Sequence, residues 1–252
     1  MIQLKSHWEI AIMRHVGRIA AKARHLAGEM VEPGVKTREI DREIRRLIEL
    51  EGAHPAFLGY NGFPGSACIS INEEVIHGIP GNRKICPGDI VSIDVGAKRE
   101  GYFGDCAATF EAGAVSPQGK TLIQVTRESF YKGLAFCKEG FRLSDISHAI
   151  QAHVEANGYA VVRDFVGHGI GKTLHEAPEV PNFGKPGRGP RLSAGMTLAI
   201  EPMVNLSGPE VSVLKDGWTI VTKDRSLSAH YENTVLITKG EPEILTTWEP
   251  EV

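Results

Sequence analysis

Two acids in the stretch from Ile90 to Glu111, IVSIDVGAKREGYFGDCAATFE, are spaced so that together they could hold a metal ion. Ile90–Val95 and Tyr102–Phe110 are rich in strand formers, with Asp94 in one arm and Asp105 in the other, and the polar Lys98-Arg99-Glu100-Gly101 between them predicts a β-hairpin. A turn symmetric about Arg99 and Glu100 pairs positions whose numbers sum to 199, which sets Asp94 opposite Asp105. Directly opposed residues have Cβ atoms roughly 4.5–5.5 Å apart, and like charges at ~5 Å repel by roughly 3 kcal/mol at an effective dielectric of ~20. One divalent cation or a pair would offset this, because carboxylate oxygens suit hard and borderline metals. The competing reading is a staggered hairpin whose acids face solvent.

Three later residues offer matching chemistry. Glu201 ends the apolar run Met196-Thr197-Leu198-Ala199-Ile200, Glu232 heads Thr234-Val235-Leu236-Ile237, and His168 follows Phe165-Val166 within Gly167-His168-Gly169-Ile170-Gly171. Each has an ordinary explanation: a strand-end acid, a solvated acid, a turn histidine. Charged side chains are nevertheless rarely buried unless paired or ligating metal, so the three taken together are less easily dismissed than any one of them.

The elements that must position these side chains are legible from periodicity. Ser6-His7-Trp8-Glu9 has a capping-box pattern, and apolar residues from Met13 to Met30 recur at helical spacing until Pro33-Gly34. Thr37 is the expected cap of a second helix, with Ile40, Ile44, Leu47 and Ile48 on its buried face and Gly52 as its stop. Strands are expected around Ala67–Ile71 and Val75–Ile79, before the hairpin. Ser116-Pro117 opens a third helix, and Ile146, Ile150 and Val154 line a fourth that stops at Gly158. Strands are expected at Val161–Gly167, Thr197–Asn205 and His230–Thr238. A shift of 106 positions superposes Gly34 on Gly140, Lys36 on Arg142, Glu39 on Asp145, Ile40 on Ile146, Ile44 on Ile150, Ile48 on Val154 and Gly52 on Gly158, without a gap. This predicts an internal duplication: one domain over residues 1–252, with pseudo-repeat halves of about 1–112 and 113–252. Sites favour such junctions.

Composition sets the outer bounds. A chain of 252 residues, 42% hydrophobic and 23% charged, can bury a sizeable core, and a net charge of −3 gives no support to a dominant nucleic-acid-binding surface or to specific DNA binding. No early apolar run reads as a signal peptide or membrane span, so a cytoplasmic location is the default expectation. Cys68, Cys86, Cys106 and Cys137 form no CxxC pair, which favours reduced thiols.

The set Asp94, Asp105, His168, Glu201 and Glu232, with CISINEEVIHGIP from Cys68, the GDIVSIDVG run, GHGIG followed by His175-Glu176, and the IEP around Glu201, resembles the methionine aminopeptidase family of the short bacterial type I, over nearly the whole chain. The resemblance implies an α+β pita-bread fold, in which two pseudo-two-fold related αβ halves with antiparallel sheet enclose a dinuclear metal site. It implies that the enzyme is a metal-dependent exopeptidase removing the N-terminal methionine of nascent peptides when the second residue is small. Asp94 would chelate one of two divalent ions, Asp105 and Glu232 would bridge, and His168 and Glu201 would complete the other, with the attacking water activated between them. Four carboxylates balance two divalent ions. Mostly oxygen ligands with one imidazole suit Co, Mn, Fe or Zn, and sequence does not select among them. Catalytic roles carry over to His77, His175 and Glu201: His175 would bond the carbonyl and its oxyanion, His77 would place the peptide, and Glu201 would shuttle the proton. Tyr60, Phe63, Cys68 and Trp218 would line the methionine pocket with the two histidines. Phe57 and Leu174 depart from the family pattern there, and Cys106 departs beside Asp105.

Two other readings stand beside this one. A proline-specific peptidase shares fold and ligands but usually carries a further N-terminal domain, and a silent partner-binding relative would be expected to lose ligands. Type II relatives carry an insertion for which the stretch between His175 and Glu201 leaves no room. A monomer is expected. The segment 213–225, with Lys215, Lys223 and Arg225 flanking Trp218, is expected at the rim of the site, where it could meet ribosomal RNA phosphates during transient ribosome association; the alternative is a solvated loop whose cations pair with Asp216 and Asp224.

Overall fold

The computed structural model describes residues 2–248. Helix α1 (His7–Glu29) starts at the expected capping box, with Ser6 Oγ accepting from the Glu9 N–H and the Glu9 carboxylate accepting from the Ser6 N–H. Helix α2 (Thr37–Leu50) follows, then β1 (His54–Pro55), a 3-10 turn at Tyr60–Gly62, β2 (Cys68–Ile71), β3 (Glu74–Ile76) and the long hairpin β4 (Ile90–Arg99) and β5 (Tyr102–Glu111). The second half opens with α3 (Pro117–Leu134) and α4 (Leu143–Ala156). Strands β6 (Ala160–Val161), β7 (Gly167–Gly169), β8 (Glu176–Val180), β9 (Thr197–Ile200) and β10 (Met203–Asn205) come next. The chain then runs through β11 (Val211–Val213), β12 (Ile220–Thr222), β13 (Ser228–His230), β14 (Glu232–Leu236) and β15 (Glu243–Ile244).

Thr37 does not cap α2. It is the first helical residue, and its hydroxyl instead accepts from the Gly81 N–H at 2.8 Å, while the Glu39 carboxylate caps by accepting from the Lys36 N–H. The same device recurs at α4, where Asp145 accepts from the Arg142 N–H. Gly34 and Gly140 precede these helices with φ of 97° and 96°, and Gly52 and Gly158 follow them with φ of 69° and 80°. The local geometry thus repeats at the offset of 106 positions.

One nine-stranded sheet, ordered β1-β4-β5-β14-β9-β7-β8 with β2 added on β4 and β15 on β14, joins strands of both halves, and its pairings are antiparallel. Two three-stranded sheets, β13-β10-β6 and β11-β12-β3, flank it. Alternation along the strands splits the large sheet into two faces. Ile93, Val95 and Cys106 face a core shared with Val16, Ala20, Ile40 and Ile44 of α1 and α2, and Leu198, Ile200 and Val235 face one shared with Phe130, Ile146 and Ile150 of α3 and α4. Helix α1 crosses β5 where Gly17 meets Gly104; a Cβ on Gly104 would lie 2.9 Å from the Gly17 Cα, and one on Gly17 would run into the backbone carbonyl of Leu245, so each position needs to be bare for its own reason. The acids of the hairpin are left on the opposite face.

The hairpin register differs from the expectation. Arg99 pairs with Tyr102, so the turn is the two-residue Glu100-Gly101, and Asp94 lies opposite Ala107 while Asp105 lies opposite Gly96. Glu100 (φ 51°) and Gly101 (φ 82°) both take the left-handed region that a two-residue hairpin turn demands, and glycine in the second position makes this accessible. The displacement is two residues, an even number, so both acids keep the same face. They are diagonal rather than opposed.

The expected strands of the second half are also broken. Val161–Gly167 yields only β6 and the start of β7. Thr197–Asn205 splits at Glu201-Pro202, where proline has no N–H for a ladder, and His230–Thr238 splits at Tyr231. Both breaks move the chain from the large sheet to the β13-β10-β6 sheet or back, and the Tyr231 N–H donating to the Pro202 carbonyl joins them.

Candidate metal centre and its cleft

Register brings the five expected side chains into two adjacent rows on one face. Asp94 pairs with Ala107, which pairs with Glu232; carrying the β14–β9 register one step beyond Asn233–Ile200 puts Glu201 opposite Glu232. In the next row Asp105 stands beside Gly96, Thr234 pairs with Ala199, and Ala199 pairs with His168. Asp105 is tied to that row by Thr234, whose hydroxyl donates to the Asp105 carbonyl and accepts its N–H. Ala107 stands between Asp94 and Glu232, Gly96 beside Asp105, and Ala199 between Thr234 and His168, so small residues leave room around the acids.

The electrostatics of this cluster are unfavourable without a cation. Asp94 Oδ1, Asp105 Oδ1 and Glu232 Oε1 are buried with no hydrogen-bond partner in the structure, which native interiors rarely tolerate. Burial, and then the charges of Asp105 and Glu201, push the Asp94 carboxyl well above its ordinary range. Burial raises Asp105 to about 6, and burial followed by neighbouring carboxylates raises Glu201 and Glu232. Asp105, His168 and Glu232 each offer a donor atom within 4.8 Å of the others. His168 donates from Nδ1 to the Gly169 carbonyl at 2.9 Å, which leaves the Nε2 lone pair toward the carboxylates, 3.6 Å from Glu201 Oε1. Burial, and then His175, lower its pKa to about 4, so the imidazole is neutral and free to ligate. The donor set, mainly oxygens with a neutral imidazole, fits divalent metal.

A cavity of about 280 Å³ opens onto these atoms. Its walls include all four expected pocket residues, Tyr60, Phe63, Cys68 and Trp218, together with His77 and His175. Phe63 meets Trp218 edge to face at 5.1 Å, and His77 stands edge-on to Trp218 at 6.5 Å and to Phe165 at 6.0 Å. Phe57 and Leu174, the two departures from the family pattern, also line it. Cys106 turns to the helix face, with Sγ toward the Val95 carbonyl, and does not reach the site. His77 takes a left-handed backbone (φ 59°), uncommon for a residue with a Cβ and frequent at functional positions. Burial, then His175, lowers its pKa to about 4. His175 is more exposed; its ring lies 4.2 Å from that of His168, and its Nδ1 is 2.9 Å from the Tyr60 hydroxyl. Tyr60 is thus more than a wall.

One residue escaped the sequence reading. His230 is 2% exposed, and its Nε2 lies 3.8 Å from Glu201 Oε2 and 3.9 Å from Glu232 Oε2 with no hydrogen-bond partner. Burial, then His77, lowers its pKa to about 3. The available signal was its place two residues before Glu232, which on an extended strand puts both side chains on one face.

Lys215, Lys223 and Arg225 are exposed, and among the described residues no ion pair joins them to an acid. Asp216 accepts from the Trp218 and Thr219 N–H groups, and Asp224 accepts from the Ser226 N–H, so both serve their own turns. No helix among the described residues is long and apolar enough to cross a membrane.

Comparison with known proteins agrees with this geometry. Residues 11–239 match the metallopeptidase family M24. A methionine aminopeptidase of Clostridium perfringens is 55% identical over 246 residues, covering 98% of this chain and 99% of the relative. The crystal structure of a methionine aminopeptidase from Thermotoga maritima superposes with a TM-score of 0.97 at 45% identity, covering 98% of this chain and 100% of the other. The prolidase of Pyrococcus furiosus shares the fold (TM-score 0.79, 24% identity), and only 66% of that longer chain is matched. The α+β pita-bread architecture is common to all of these, and the chain belongs to metallopeptidase family M24 as a member of its methionine aminopeptidases.

Proposed function

We propose that this protein hydrolyses the first peptide bond of chains that begin with methionine and carry a small second residue, using two divalent ions held by Asp94, Asp105, His168, Glu201 and Glu232. The observation that carries the proposal is the convergence of these five side chains, three of them with orphaned buried oxygens, at the floor of an aromatic cavity of about 280 Å³. When bound, the ions supply Lewis acidity at the scissile carbonyl and lower the pKa of a water. Co, Mn, Fe and Zn all suit the donor set.

The chain's own residues do the rest. Phe63, Cys68 and Trp218 take the methionine side chain, whose thioether gains dispersion and sulfur–ring contacts. His175 Nδ1 and the Tyr60 hydroxyl share a hydrogen bond of 2.9 Å; in the tautomer that serves catalysis the hydroxyl donates, the proton stays on Nε2, and Nε2 donates to the carbonyl oxygen as negative charge develops. His77, held between Trp218 and Phe165, places the peptide. Glu201 accepts the proton of the attacking water and delivers it to the departing amine. Titrating metal-free protein with Mn or Co while assaying Met-Ala-Ser and Pro-Ala-Ser tests this reading: the methionyl peptide alone should be cut, and only with metal. Met-Phe and Met-Lys peptides should be poor substrates, and equal rates on these and on Met-Ala would overturn the size restriction.

The same reading places the protein, as a monomer, in the cytoplasm where nascent chains emerge. Lys215, Lys223 and Arg225, which flank Trp218 in the sequence and have no ion pair among the described residues, support docking to ribosomal RNA phosphate. Replacing all three with alanine should weaken ribosome co-sedimentation in a salt-dependent manner and spare tripeptide hydrolysis; unchanged co-sedimentation would reduce the segment to a solvated loop.

A further inference from the structure

We infer that His230 is a sixth protein donor of the metal centre, its Nε2 binding the ion that Glu201 and Glu232 share. The inference rests on the two-metal reading above and adds a nitrogen ligand to it. Glu201, His230 and Glu232 each present a donor atom, all within 4.8 Å of one another. The Nε2 distances of 3.8 and 3.9 Å to Glu201 Oε2 and Glu232 Oε2 are too long for hydrogen bonds. They are the distances one ion spans: two donors each about 2.1 Å from a first-row metal can be up to ~4.2 Å apart. Nε2 is buried without a partner, a costly arrangement for an imidazole unless something binds there.

The backbone holds the ring in place from both sides. The His230 N–H donates to the Thr109 hydroxyl, which itself donates to the His230 carbonyl, both at 2.9 Å, and His230 pairs with Met203 two residues beyond Glu201. The strand breaks at Glu201-Pro202 and Tyr231 lie side by side, so the crossing between sheets that aims Glu201 also aims His230. A neutral imidazole leaves the charge balance of four carboxylates against two divalent ions unchanged, while raising the nitrogen content of the ion on the His168 side to two. Such an ion is a softer acceptor than an all-oxygen neighbour, which predicts two unequal sites.

The test is long-range ¹H–¹⁵N correlation spectroscopy of histidine rings in ¹⁵N-histidine-labelled protein titrated with Zn(II), with His230→Gln assigning the resonance. We expect the Nε2 signals of both His168 and His230 to move to the metal-bound region by two equivalents. In calorimetry with Mn(II), His230→Gln and His230→Ala should each weaken one site at least about tenfold, since an amide can donate a hydrogen bond but supplies no imidazole nitrogen. Movement of His168 alone, or wild-type Mn(II) affinity in His230→Gln, would overturn the role of His230 and leave the two-metal reading standing. Failure of the unaltered protein to take up either metal would overturn both.

Discussion

His168 and His175 lie ring against ring at 4.2 Å, yet their surroundings separate their roles. His168 is 8% exposed, with Nδ1 committed to the Gly169 carbonyl and Nε2 toward the acids; His175 sits at the mouth with Nδ1 on Tyr60. His175→Ala should therefore keep Mn or Co binding near wild type and lower kcat by roughly 10²–10³, the range for loss of one oxyanion donor. His168→Ala and Glu201→Gln should abolish detectable turnover, because each removes a ligand and the second also removes the proton acceptor. Calorimetry beside the assay distinguishes the cases, and a lost metal site in His175→Ala would show that its role is structural or ligating.

At the scale of elements, the start of α1 couples the helix to the hairpin and to the loop that carries His175. The Glu9 carboxylate accepts from the Ser6 N–H and hydroxyl at 2.8 Å and from the Tyr102 hydroxyl at 2.8 Å, with Lys172 at 3.4 Å. The Ser6 backbone bond, followed by the Tyr102 bond, holds Glu9 at about 2, below the roughly 4.3 of an unfolded glutamate. A depressed folded pKa contributes stability that is present above the unfolded value and is lost as pH falls toward the folded one. Glu9→Gln should thus destabilise by about 1 kcal/mol at pH 7, as for other caps. In urea titrations that difference should shrink between about pH 4 and pH 2; a constant difference across that window would mean the carboxylate charge is not what stabilises the turn.

The molecule as a whole is built so that its buried acids need a counter-charge. Strands from both halves supply them: β4 and β5 from the first, β7, β9 and β14 from the second. On the proposed two-metal reading, bound metal would cross-link these strands through the central sheet. Each ion at a hundredfold excess over its Kd adds about 2.7 kcal/mol, so chelation should lower Tm by roughly 10–20 °C for a chain of this size. Calorimetric scans with and without chelator check this, and restored Tm on adding Mn but not Mg would match the nitrogen in the donor set. The repeated caps at Lys36–Glu39 and Arg142–Asp145 support our reading of two duplicated halves, approximately 1–112 and 113–252, within one catalytic domain.

Local patterns in the chain were enough to place the four helices and the hairpin and to single out five candidate side chains, which the family resemblance then joined into one set. Apolar periodicity, caps such as Ser6 and Ser116, and acids at the ends of apolar runs are properties of neighbouring residues, and neighbours are what a sequence displays. Tertiary structure alone decided the rest. The hairpin's register rested on whether the turn used two residues or four, and Glu100-Gly101 settled it through left-handed backbone angles; the even displacement spared the face on which Asp94 and Asp105 lie. The breaks at Pro202 and Tyr231 were hidden because a strand that changes sheets keeps the same apolar alternation. Those breaks aim Glu201 and bring up His230, whose one signal in the sequence is its place two residues before Glu232 and whose neighbours in space are two buried carboxylates.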